Sequence, residues 1–125
     1  MKTRVNAQFD DDPEGYLSLR SGRQFERRLA RTLDFLVDAH PGDLVVEIGA
    51  GTGALLEALA DARPDLCFLG VEPLANYVAF ARSRWEGGDP ERLRIVEGTA
   101  EELDRAVDRP ARWIVSHDVL HHVAG

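Results

Sequence analysis

Apolar residues along the chain change their period several times, and each change marks a new element. Phe25, Leu29, Leu33 and Leu36 recur at helical spacing, which predicts a helix from Ser21 to Ala39 with one apolar face. Arg20, Arg23, Arg27 and Arg31 fall on the opposite face, read first as solvated and alternatively as an anion- or partner-binding stripe. His40-Pro41-Gly42-Asp43 breaks this helix, and the short β-branched run Leu44-Val45-Val46-Glu47-Ile48 then predicts a buried parallel strand. A glycine-rich turn, Gly49 to Gly53, leads into a helix over Ala54–Ala62 that Arg63-Pro64-Asp65 ends.

The same unit recurs further along. Cys67 to Val71 predicts a second strand, and Leu74, Val78, Ala81 and Trp85 place one face of a helix over Ala75–Trp85. After the loop Glu86-Gly87-Gly88-Asp89-Pro90 come a third strand, Leu93 to Val96, a short helix over Ala100–Val107, and a fourth strand, Trp113 to Ser116. Strands alternating with helices require crossover connections and a parallel sheet, so the fold class is α/β. Residues 1–18, with Asp10-Asp11-Asp12-Pro13, read as an irregular lead-in, and residues 19–125 as one domain.

Composition narrows the function. The 125 residues suit one domain, and a hydrophobic share of 44% with 30% charged residues is globular. A net charge of −7 argues against nucleic acid, whose phosphates are held by concentrated Lys and Arg, and favours a small-molecule substrate or a protein partner. One cysteine, Cys67, permits neither an internal disulfide nor a cysteine-based zinc site, and no metal is expected. No apolar stretch is long enough to span a membrane, and the expected location is cytoplasmic.

The chemistry gathers at the first turn. Three glycines at alternate positions, Gly49, Gly51 and Gly53, permit positive φ and let a ligand press on the backbone of a turn that opens a helix. Gly49, Gly51 and Ala54 also satisfy the dinucleotide fingerprint, so a nicotinamide-dependent oxidoreductase is an alternative. Glu72, about twenty residues on, can accept ribose hydroxyls for either ligand. Glu47 favours the ammonium of a methionine moiety and would repel a pyrophosphate.

Four segments in this order make the chain resemble a class I S-adenosylmethionine-dependent methyltransferase, of the small-molecule type related to the ubiquinone and menaquinone methyltransferases. They are Glu47 to Gly53, Val71-Glu72-Pro73, Glu97-Gly98-Thr99-Ala100-Glu101-Glu102-Leu103, and Ser116-His117-Asp118-Val119-Leu120-His121-His122. The resemblance implies a Rossmann-like parallel sheet of strand order 3-2-1-4 with flanking helices, incomplete relative to the family's seven strands.

It also implies S-adenosylmethionine or S-adenosylhomocysteine as cofactor. Glu47 and the backbone of Gly49, Ala50, Gly51 and Gly53 would hold the methionine end, and Glu72 the ribose. Pro73 and Leu74 would cover adenine, Thr99, Ala100 and Glu101 would frame its edge, and His117 would lie beside the cofactor. His117 or His121 could act as a general base, since imidazole titrates near neutrality. Because only four strands are legible, the fourth is expected at a bare apolar edge over residues 113–123. A second protein chain is expected to complete it, the present chain being either one subunit of the enzyme or its N-terminal part. A non-catalytic methyltransferase-like module is the alternative.

Overall fold

The computed structural model describes residues 22–107, 109–116 and 119–123. Their centre is a five-stranded sheet of order β3-β2-β1-β4-β5, built from β1 (Leu44–Ile48), β2 (Cys67–Glu72), β3 (Leu93–Glu97), β4 (Trp113–Ser116) and β5 (Val119–His122). The first four are parallel in the expected order 3-2-1-4: β1 lies between β2 and β4, with Val45 opposite Phe68 on one side and Trp113 on the other. The helices are α1 (Arg23–Phe35), α2 (Ala54–Ala62), α3 (Ala75–Arg84) and the short α4 (Leu103–Ala106).

Two predicted helices are divided. The first is α-helical only to Phe35 and tightens into a 3₁₀ turn, Leu36–Asp38, before Ala39 becomes extended. Pro41 bars the helical conformation at His40, so the chain must leave the helix here. The Arg63 guanidinium then donates to the Leu36 and Ala39 carbonyls at 2.7 and 3.0 Å, adding to the Ala39 N–H that Leu36 already accepts at 2.9 Å and so closing the helix end. The helix predicted over Ala100–Val107 is a 3₁₀ turn, Ala100–Glu102, followed by α4.

The larger departure is β5. It pairs antiparallel with β4, Trp113 opposite His122 and Ser116 opposite Val119, so the sheet is mixed. The edge of β4, expected to be bare, is covered by the chain itself. The physical reason lies in β4: Trp113 and Val115 are buried, and a strand so apolar gains from a neighbour that pairs its N–H and C=O groups. Trp113 also stacks on His122, ring centroids 4.1 Å apart, and meets the Phe35 ring edge-on. Residues 117 and 118, which join the two strands, lie outside the described residues.

One face of the sheet carries most of the core. Val45, Phe68, Ile95, Trp113 and Val115 pack there with Leu36, Leu55, Leu56, Leu59, Val78 and Ala81, and with Phe25, Leu29 and Leu33 from α1. Burying each of the larger aliphatic side chains contributes about 1.5–3 kcal/mol. Val46, Leu69 and Val71 point to the other face, where Leu103 and Val107 meet them. Glu47 follows the face of Val45 by the two-residue period, which sets it under α1. Arg23, Arg27 and Arg31 are exposed, as a solvated face requires. No helix among the described residues is long and apolar enough to cross a membrane.

Candidate functional site

The carboxyl ends of β1 and β2 lie side by side, and the turn leaving β1 is tied to β2. The Gly49 and Ala50 N–H groups both donate to the Val71 carbonyl, at 2.8 and 3.2 Å. Gly49, Gly51 and Gly53 have φ of +75°, +60° and +82°, a region costly to any residue with a Cβ. A methyl group placed on Gly49 would meet no atom within 4 Å, whereas one on Gly53 would lie 2.5 Å from the Trp85 indole. Gly49 therefore faces open space and Gly53 has a wall behind it. Trp85 is itself held, its Nε1–H donating to Glu57 at 2.9 Å. The Arg84 guanidinium beside Glu57 holds that carboxyl below its ordinary range, against the opposing effect of burial.

Gly70 has a role that its place in an apolar run conceals. A Cβ there would stand 2.8 Å from the Ala50 methyl and 2.9 Å from a Leu56 methyl. Glycine in this apolar strand lets the turn and the first coil of α2 lie down on the sheet. A lone glycine inside a strand is the signal for such a close approach.

Glu72 joins the parts of the site. Its carboxylate is 4% exposed and accepts the Gly51 N–H at 2.7 Å and the Leu74 N–H at 3.0 Å. Its carbonyl accepts the Gly98 N–H at 3.0 Å. One residue thus holds the glycine turn, the Pro73-Leu74 corner and the Gly98-Thr99 corner together. Each carboxylate oxygen has a second lone pair for a ligand hydroxyl.

Glu47, only 1% exposed, receives the Arg28 guanidinium at 3.1 Å. Arg28 is not among the residues the sequence motifs single out. Yet 25, 28, 29, 32, 33 and 36 form the stripe of α1 that faces the core, and Arg28 is the arginine inside it. An arginine within an apolar stripe is the signal that finds it.

Around these two buried carboxylates the other predicted residues form exposed walls: Gly49, Pro73, Thr99, Ala100 and Glu101 are exposed and Leu74 half-buried, while Ala50, Gly51 and Gly53 form the buried floor. The Thr99 N–H and hydroxyl both donate to Glu102 at 3.1 Å, closing a capping box that fixes this corner. The hydroxyl keeps an acceptor lone pair. His121 is not brought to this group. It is paired with Ile114, which is level with Val46, so it lies two strand spacings, about 10 Å, from β1 and below the turn. His117 lies outside the described residues.

A nucleoside carrying an amino-acid chain suits these groups. Thr52 adds to the fit, its hydroxyl buried in the turn with no hydrogen-bond partner among the described residues. A buried polar atom of this kind is costly unless something completes it.

Residues 45–125 match the methyltransferase-domain family, and the chain belongs to it. It is 40% identical over 85 residues to ribosomal RNA small subunit methyltransferase G of Mycobacterium leprae, covering 66% of this chain and 34% of that protein. It is 29% identical over 93 residues to the nonribosomal peptide synthetase TES of Alternaria alternata, covering 73% of this chain and 2% of that protein. Among solved structures it is similar to the cyclopropane synthase MmaA2 of Mycobacterium tuberculosis, with 25% identity and a TM-score of 0.58 over 72% of this chain and 30% of that one. The plantazolicin methyltransferase BamL shares the fold at 18% identity, TM-score 0.60, over 89% of this chain and 43% of that one. The chain thus spans less than half the length of each of these proteins.

Proposed function

We propose that the chain is the cofactor-binding part of a small-molecule methyltransferase, taking S-adenosylmethionine or S-adenosylhomocysteine at the carboxyl ends of β1 and β2. The observation that carries this reading is Glu72, a buried carboxylate joining the three corners that would surround the methionine chain, the ribose and the adenine. Glu47 would take the ammonium, and the backbone of Gly49, Ala50, Gly51 and Gly53 the rest of the methionine end. Glu72 would take the ribose hydroxyls, Pro73 and Leu74 a face of adenine, and Thr99, Ala100 and Glu101 its edge.

When bound, the cofactor supplies a methyl group already activated by its sulfonium. The residues of this chain then have to orient that end, keep water from it and present the acceptor in line. By the family resemblance His117 would lie beside the cofactor and could take a proton from an acceptor.

The net charge of −7 supports a small acceptor over a nucleic acid and accords with a cytoplasmic protein. The test of the site is calorimetry with S-adenosylhomocysteine and with NAD. The former should bind, and Glu72→Ala should weaken it by about 1.5–3 kcal/mol. Unchanged affinity, or binding of NAD alone, would overturn the assignment.

Completion by a second polypeptide belongs to the same reading. Further strands would join at the outer edge of β5, which pairs with β4 alone in the described sheet. The mass of the native species purified from its source should exceed that of this chain. A monomeric chain that transfers methyl groups unaided would dispose of the partner.

A further inference from the structure

The glycine turn is held in one way at its start and in another at its end. At the start Gly49 and Ala50 donate to Val71 and Gly51 donates to Glu72, so β2 fixes it. At the end stands Gly53, the residue before α2, and no side chain among the described residues caps that helix. A capping side chain is the usual means of fixing where a helix begins. Here the place is taken by a tryptophan.

The contacts of Gly53 close into a ring. Its carbonyl accepts the Glu57 N–H at 2.9 Å, the Glu57 carboxylate accepts the Trp85 indole N–H at 2.9 Å, and the far edge of that indole lies against Gly53. Glu57 cannot swing away, because the Arg84 guanidinium donates to its two oxygens at 2.6 and 3.2 Å. The backbone of Trp85 is tied as well, its N–H donating to the Ala81 carbonyl and its carbonyl accepting the Gly88 N–H, each at 3.0 Å.

Packing alone does not account for this arrangement. Trp85 is half-buried and borders two open cavities, one of about 210 Å³ beside Arg82 and Ile95 and one of about 320 Å³ beside Arg84 and Arg92. An indole with space on its flanks is placed by its hydrogen bond more than by close-packed neighbours. The Arg84 and Glu57 side chains are 41% and 32% exposed, and an ion pair so exposed adds little stability. What the pair does fix is the ring against Gly53.

Resting on the proposed cofactor site, we infer that Trp85, locked by Glu57 and Arg84, is a positioning residue that sets the end of the glycine turn where the ligand requires it. It acts through Gly53 and touches no ligand atom.

The test is calorimetry with S-adenosylhomocysteine, at a temperature where circular dichroism shows each chain folded. Trp85→Phe removes both the part of the ring that meets Gly53 and the N–H that Glu57 holds. It should lower affinity by up to about a hundredfold, the scale on which a displacement of about 1 Å acts. Glu57→Ala frees the ring and should lower affinity about tenfold, the worth of one hydrogen bond. Glu57→Gln keeps a carbonyl that accepts the indole N–H and should restore most of that loss. A purely structural Trp85 would lower the melting temperatures of these variants and leave the affinity of the folded chains alone. Emission gives a second readout, since the chain has two tryptophans and Trp113 opens β4 at the other end of the strands. In Trp113→Phe the emission of Trp85 should change as the ligand saturates the site. Should that variant not fold, the change is read as the part of the wild-type signal that Trp85→Phe lacks. Unchanged affinity in Trp85→Phe, or Glu57→Gln binding as weakly as Glu57→Ala should the phenylalanine variant not fold, overturns the inference. So does Trp85 emission indifferent to bound ligand. Failure of the wild-type chain to bind S-adenosylhomocysteine would instead overturn the cofactor site itself, and this role of Trp85 with it.

Discussion

The two ends of the parallel strands are built on different principles. At the amino end, side chains close on one another: Asp43 accepts the Trp113 indole N–H and the His40 amide, each at 3.0 Å. Arg63 seals the end of the first helix and pairs with Asp65, and Arg109 bonds the Gly42 carbonyl at 2.9 Å. At the carboxyl end the work passes to backbone: three glycines at positive φ, two buried carboxylates, and corners tied through Glu72. A lock of side chains satisfies itself. A cradle of glycines and carboxylates has polar capacity to spare, which is where ligands of parallel α/β sheets are found.

Glycine gives the sharpest way to break this contrast, because both ends use one at positive φ. Gly42 at the amino end has φ +87° and no atom within 4 Å of an added methyl, while Gly53 has φ +82° and the Trp85 ring at 2.5 Å. Gly53→Ala therefore suffers backbone strain of roughly 1–2 kcal/mol and overpacking of roughly 1–3 kcal/mol. It should lower the melting temperature by about 10 °C or more and abolish S-adenosylhomocysteine binding. Gly42→Ala should show the strain alone and bind the ligand normally. Thermal melts and calorimetry on the two variants would decide it. Equal losses of binding would mean that the turn has no special part.

How much of this is legible in the sequence follows from the range of the forces involved. The strand and helix order is readable because β1 and β2 are nearly continuous apolar runs and α2 and α3 begin directly after turn residues. Glu72 is readable because an acidic residue ending an apolar strand is costly unless it has a partner. That it ties Gly51, Leu74 and Gly98 together is not, since those partners are set by strand register. β5 escapes the sequence pattern because Val119 to His122 is short and its histidines weaken any strand signal; its pairing depends on what β4 needs. Arg28 is easily passed over because its neighbours Arg27 and Arg31 face water, and only its place in the apolar stripe with Phe25, Leu29 and Thr32 separates its role from theirs. Residues 1–18, read as lead-in, the helix start at Ser21, and His117, read as a site residue, lie outside the described residues.

A smaller effect sharpens the contrast from the amino end. Burial pushes the Asp43 carboxyl up, but the Trp113 indole, the His40 amide and the nearby His40 and Arg112 charges outweigh it and hold the group below its ordinary value of 3.8. A carboxyl depressed in the folded state stabilises the fold fully above its unfolded pKa, and that contribution disappears as the pH falls through the lower folded value. Asp43→Asn keeps a carbonyl able to accept both N–H groups but removes the charge. At neutral pH the variant should therefore lose stability by about 1 kcal/mol or less, the scale of a partly exposed charge contact. As the pH falls below 3.8 and on through the lower folded value, the difference from the wild-type chain should shrink toward nothing, because Asp43 then becomes neutral in the folded chain as well. Other carboxylates titrate in the same range, so the difference between two urea-melt series across pH is the quantity to read. S-adenosylhomocysteine affinity should be the same in both chains at neutral pH, because among the described residues Asp43 bonds the Trp113 indole and the His40 amide, at the opposite end of the strands from Glu72 and the glycine turn. A stability difference that persisted unchanged into acid would mean that the Asp43 charge contributes nothing. A fall in ligand affinity would mean that the two ends are coupled through β1, and that the division between lock and cradle is too simple.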